Sequence, residues 1–100
     1  MTHLDVPPRQ TERQFMADVI RLAEVLGWRT YHTHDSRRSA PGFPDLVLVR
    51  RPRVIFAELK AQRGRLTPHQ LDWFAELRAC HQEIYVWRPE DAEKVARILR

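Results

Sequence analysis

A small α/β sandwich, with a short mixed sheet flanked by helices, is the fold class the sequence predicts, on three observations. Apolar residues recur at helical spacing in some segments, they alternate at strand spacing in others, and the segments follow in the order helix, three strands, helix, strand, helix. With 100 residues and 43% apolar content there is material for one core and no room for a second. Residues 1–10, with Pro7 and Pro8, read as a flexible arm, and residues 11–100 as a single domain.

Residues 11–26 carry Phe15, Met16, Val19, Ile20, Ala23 and Leu26 on one helical face. Thr11 and Gln14 fit a capping box at the start, and Gly27 fits a C-terminal stop. Residues 28–34 alternate as a strand, and 35–44 form a polar, basic loop punctuated by Pro and Gly. Two apolar runs, 46–49 and 54–59, flank Arg50-Arg51-Pro52-Arg53 and read as a hairpin. A two-residue primed turn needs positive φ where Pro52 stands, so a four-residue loop is expected. Gly64 breaks the chain, and Thr67-Pro68 supplies an N-cap and first-turn proline for a helix to about Cys80, with Leu71, Phe74, Leu77 and Arg78 at helical spacing. Residues 83–87 alternate as the fourth strand. Pro89 opens a last helix with Glu90, Asp91 and Glu93 at its start and Arg97 and Arg100 at its end, in keeping with the helix dipole.

The net charge of +4 favours a polyanionic partner. Cys80 is alone, which excludes a disulfide framework and points to a reducing compartment. No apolar run approaches the roughly 18 residues of a membrane span, and residues 1–10 lack the apolar centre of a signal peptide. A cytoplasmic protein with no membrane partner is expected.

The hairpin register brings charged residues together. If Val49 faces Val54, then Asp45 lies opposite Glu58 and Lys60 points to the same side, two residues beyond. Two ionised carboxylates about 5 Å apart repel by about 3 kcal/mol at an effective dielectric of 20. A divalent cation compensates such a pair, and oxygen-only ligands favour magnesium or manganese. Lys60 also offsets part of the charge, and an E-x-K strand taken alone reads first as a solvated alternating face; Asp45 shifts that reading, because Gly42-Phe43-Pro44-Asp45 places the acid at a strand start after a turn.

Pro44-Asp45 followed by Glu58-Leu59-Lys60 resembles the PD-(D/E)XK nuclease motif. Gly42-Phe43-Pro44-Asp45-Leu46, Phe56-Ala57-Glu58-Leu59-Lys60, Gly64, Leu66-Thr67-Pro68-His69-Gln70, Trp73 and Val86-Trp87-Arg88-Pro89-Glu90-Asp91 together resemble the VRR-NUC branch of that superfamily, from Glu12 onward. The resemblance implies a restriction-endonuclease-like core and a metal-dependent endonuclease acting on DNA phosphodiesters, in the manner of stand-alone virus-type or bacterial Holliday junction resolvases. It implies that Asp45 and Glu58 ligate Mg2+ or Mn2+ with the Leu59 carbonyl, and that Lys60 orients the attacking water. Glu12 matches the acid on the first helix of such nucleases, and is equally a favourable charge in a helix's first turn. Gln70 matches the glutamine after the E-x-K strand, and also completes a capping box with Thr67. The resemblance further points to branched DNA, a homodimer and a bacterial or phage-infected cell. A catalytically silent DNA-binding subunit and a protein-binding domain are the competing readings.

Arg37, Arg38, Arg63 and Arg65, with His34 and Ser36, are expected to contact DNA, and the same phosphate-binding expectation extends to Arg50, Arg51 and Arg53. His32 and His34 alternate on a strand without the further ligands of a zinc site. Cys80, Trp73, Phe74 and Trp87 are expected in the core, and Trp28, Tyr31, Ile98 and Leu99 at a dimer interface.

Overall fold

A computed structural model of the chain describes residues 10–33 and 40–100. The expected arm, Gln10 apart, and the expected DNA contacts His34, Ser36, Arg37 and Arg38 lie outside the described residues.

Helix α1 spans Glu12–Val25. The Thr11 hydroxyl accepts from the Gln14 N–H and the Gln14 side chain accepts from the Thr11 N–H, both at 3.0 Å, the reciprocal cap that the spacing predicts. Its end is a Schellman motif: the Trp28 N–H donates to the Ala23 carbonyl, the Gly27 N–H donates to the Glu24 carbonyl, and Gly27 takes φ +89°. Helix α2, Pro68–Ala79, repeats the design with Thr67 and Gln70 at its start and His81, at φ 59°, in the left-handed position at its end.

Strands β1 (Arg29–His32), β2 (Leu46–Arg50) and β3 (Arg53–Leu59) form an antiparallel meander. Strand β4 (Glu83–Trp87) returns through α2 to lie parallel to β3, giving the order β1-β2-β3-β4. Val49 faces Val54, as the sequence predicts. The connecting loop is shorter than expected, because Arg50 pairs with Arg53 and leaves Arg51-Pro52 as a two-residue turn. The Arg51-Pro52 peptide is cis, and a turn with cis-proline at its third position needs no positive φ.

A 3-10 turn, Pro89–Asp91, precedes the last helix, α3 (Ala92–Leu99). Leu46, Leu48, Ile55, Ala57, Leu59 and Trp87 on one sheet face are buried with Phe15, Val19 and Ala23 of α1 and Val95 and Leu99 of α3. Each large aliphatic side chain so buried contributes on the order of 2 kcal/mol. The other face is less covered, since α2 leans on β4 and buries none of its side chains fully. Trp87 is therefore in the core as expected, while Trp73 and Phe74 are half-buried and Cys80 is exposed rather than packed inside.

Two further expectations are corrected. Arg50 and Arg53 are not free phosphate contacts but hold the end of the chain. Arg50 donates to the carbonyls of Leu26, Leu99 and Arg100 at 2.9 to 3.0 Å. Arg53 forms a two-pronged pair with Glu83 at 2.8 Å and donates to the Ile98 carbonyl. Both guanidinium groups lie over the Trp28 ring, whose Nε1 donates to the Leu99 carbonyl. Trp28 and Leu99 are consequently buried and unavailable to a dimer interface, whereas Tyr31 is 60% exposed. No described helix is long and apolar enough to cross a membrane.

Candidate active site

The β2–β3 ladder ends at Leu46 and Ala57, so Asp45 and Glu58 are the next opposed positions. One Asp45 oxygen accepts from the Leu59 N–H at 2.9 Å, which ties the acid to the backbone just past Glu58. The Thr33 N–H donates to the Asp45 carbonyl and extends the β1 pairing to the same point.

The segment before Asp45 is locked to α2. Gly42 takes φ +85°, and a Cβ there would lie 2.3 Å from the His69 carbonyl carbon and 2.6 Å from the Gln70 nitrogen, so only glycine fits. The Trp73 indole donates to the Pro41 carbonyl at 3.1 Å. Phe43 meets the rings of Trp73 and Phe56 edge-on, with centroids 5.0 and 6.2 Å away. A cleft lined by Thr33, Pro41, Phe43, Asp45 and Gln70 opens at this junction.

Glu58 is 4% exposed. Its Oε2 accepts from Gln70 Nε2 at 2.7 Å, while the Gln70 carbonyl oxygen accepts from the Thr67 N–H at 2.9 Å. One side chain thus caps α2 and holds the acid. The Lys60 ammonium stands 3.6 Å from the same Oε2. Glu58 Oε1 is buried with no hydrogen-bond partner. Burial first, then the neighbouring Asp45 charge and the hydrogen bond that a protonated Glu58 can make to the Asp45 side chain, push the Glu58 carboxyl up to about 8, against the opposing pull of Lys60; no donor reaches Oε1 once the acid is ionised.

A buried carboxylate oxygen without a donor, crowded by a second carboxylate, is suited to a divalent cation, and the donors are all oxygen. Among the described residues no third His, Cys, Asp or Glu joins this pair. Glu12 is exposed in the first turn of α1 and is not brought to it. Arg63 and Arg65 are exposed on the segment that follows Lys60.

Arg88, which belongs to the closing run 86–91 but was expected to play no part in the site, donates from its guanidinium to the carbonyls of Ala61 and Gly64 behind Lys60. The available signal was an arginine directly after the strand that pairs with the E-x-K strand.

The VRR-NUC domain family model matches residues 8–90. Among solved structures, one described as a VRR_NUC domain superposes with a TM-score of 0.64 at 24% identity, over 90% of this chain and 96% of that one. A VRR_NUC domain protein gives a TM-score of 0.72 at 17% identity, over 92% and 87%. Hjc of Archaeoglobus fulgidus, a Holliday junction resolvase, gives 0.50 at 19% identity, over 78% and 65%. Comparison with curated proteins gives no match. These likenesses agree with the mixed sheet and helix order described above, and establish a restriction-endonuclease-like fold.

Proposed function

The chain belongs to the VRR-NUC family of PD-(D/E)XK-like nucleases, and from that premise we propose that it is a Mg2+- or Mn2+-dependent endonuclease that hydrolyses DNA phosphodiesters, selectively in branched DNA. The observation that carries the reading is the unpartnered oxygen of buried Glu58 beside Asp45. Asp45, Glu58 and the Leu59 carbonyl would hold the cation. Asp45 receives the Leu59 N–H, and in extended backbone the carbonyl of the same residue points to the same edge. When bound, the cation supplies charge neutralisation on the phosphate and a lowered pKa for water.

The chain's own groups do the rest. Gln70 fixes one Glu58 oxygen and leaves the other directed to a ligand. Lys60 orients the attacking water and offsets the charge that builds on the phosphate oxygens, from a position beside the Glu58 carboxylate. Arg63 and Arg65, with His34, Ser36, Arg37 and Arg38, grip the DNA backbone, which makes binding fall steeply with salt. Glu12 is assigned no ligand role, because it stands apart in the first turn of α1.

Selectivity for junctions draws support from the fold shared with a Holliday junction resolvase. One compact site cuts one strand, so a two-fold homodimer would supply the second. The test incubates labelled four-way junction, flap and linear duplex with magnesium, with manganese and with EDTA, and records the mass by light scattering. Metal-dependent cleavage favouring the junction, by a dimer, is the expected result. Cleavage that persists in EDTA would remove the metal site; equal cutting of linear duplex by a monomer would remove the junction assignment and leave the nuclease.

A further inference from the structure

We propose that Arg88 is a positioning residue that sets the place of Lys60 by clamping the turn at 61–64. The guanidinium Nη1 donates to the Gly64 carbonyl at 2.7 Å and the Ala61 carbonyl at 2.9 Å, and reaches the Gln62 carbonyl at 3.5 Å. Three carbonyls of one turn thus converge on a single cationic nitrogen. The Gly64 N–H closes the same turn by donating to the Ala61 carbonyl at 3.0 Å. Arg88 is itself fixed, since its backbone N–H donates to the Asp91 carboxylate at 2.9 Å. Next to it, the Lys60 N–H donates to the Trp87 carbonyl and joins the two strand ends.

The clamp reaches Lys60 through Gly64. A Cβ on Gly64 would lie 3.2 Å from the Lys60 Cδ and 3.5 Å from its Cβ, so the turn backbone rests on the lysine stem. The Lys60 side chain is only 13% exposed, although a lysine on a loop edge ordinarily extends its ammonium into water. Its ammonium is 3.6 Å from Glu58, an ion pair too long for a hydrogen bond, so the attraction at the tip has no fixed direction and packing of the stem is needed to define where it points. Without Arg88 the carbonyls of the turn lose their shared donor, the turn opens, and the stem is free to swing away from Glu58.

The consequence for cleavage rests on the nuclease reading, whereas the placement of Lys60 does not, and the experiment separates them. The chain has two lysines, Lys60 and the exposed Lys94. Reductive methylation with 13C-formaldehyde, followed by NMR, reports each one, with Lys94 as the internal control. In the wild-type chain Lys60 should methylate several-fold more slowly than Lys94. In Arg88→Met the two rates should converge, and in Arg88→Lys the protection should return in part, because an ammonium reaches fewer of the carbonyls.

Gly64→Ala keeps Arg88 and instead crowds the stem, which should shift the Lys60 methyl resonance and leave Lys94 unchanged. It also covers the case in which Arg88→Met does not fold. Both variants should lower the single-turnover cleavage rate about 10²-fold with DNA affinity little altered, the effect of a misplaced group in the chemical step. Retained protection of Lys60 in folded Arg88→Met, or an unmoved Lys60 resonance in Gly64→Ala, would overturn the proposal. Loss of protection in a chain whose wild type cuts no DNA would sustain the placement of Lys60 and sink the nuclease reading.

Discussion

At the turn of the β2–β3 hairpin, Arg50 and Arg53 each make three hydrogen bonds, to the backbone carbonyls of Leu26, Ile98, Leu99 and Arg100 and to the Glu83 carboxylate, and both lie over the Trp28 ring. At the open end of the same hairpin, Glu58 is more deeply buried and less well served, with one oxygen bare and a second carboxylate beside it. Charged groups at one end are satisfied and stabilise the fold. Those at the other are held in an unfavourable arrangement that the rest of the fold sustains, and that is where a ligand has most to offer.

The largest effect expected from breaking this contrast is on cleavage. Glu58→Gln or Asp45→Asn should abolish it, by a factor above about 10³, while the protein stays folded, because removing one charge weakens the metal site and relieves the repulsion. Cleavage assays paired with thermal denaturation check both halves; wild-type turnover in either variant would remove that acid from the site.

The next largest effect is on the stability of the metal-free protein. Glu58 is raised from an ordinary 4.5 to about 8. Between those values the folded chain keeps a proton that the unfolded chain has released. Stability is therefore greatest below about 4.5 as far as this group is concerned, falls as pH rises, and levels off above about 8, by at most about 1.4 kcal/mol per unit. Thermal midpoints in EDTA at pH 5 and pH 8 should show the fall, and Glu58→Gln should flatten it. Magnesium added at pH 8 should restore part of the loss. A wild-type midpoint that rose over this window would show that Glu58 is not crowded.

At the satisfied end, Arg53→Met should destabilise by about 2 kcal/mol, since it strips Glu83 and the Ile98 carbonyl of a donor at a half-exposed position. Urea unfolding measures it, and DNA cleavage under native conditions should be unchanged. The smallest effect belongs to Glu12→Gln, within about 0.5 kcal/mol and with cleavage within a few-fold, because this exposed acid supports only the helix dipole. A loss as large as that of Glu58→Gln would place Glu12 in the site after all.

Features that depend on neighbours along the chain or on strict alternation are legible in the residues alone. Both reciprocal helix caps, the Gly27 stop, the four strands in order, and the Val49–Val54 register that brings Asp45 to Glu58 follow from spacing, because shifting a strand by one residue would turn its apolar side chains outward. Contacts between distant segments are set only once the chain has folded. Arg50 and Arg53 looked like free loop cations until the α1 end, the α3 end and Glu83 came to meet them. Trp28 was buried by the same convergence, while Cys80 was left outside because α2 covers only part of its sheet face. The bare Glu58 oxygen, the hold of Gln70 on its partner and the Arg88 clamp behind Lys60 are likewise pairings across the chain. No periodicity encodes them, since hydrogen bonds between remote segments exist only after the core has fixed where those segments lie.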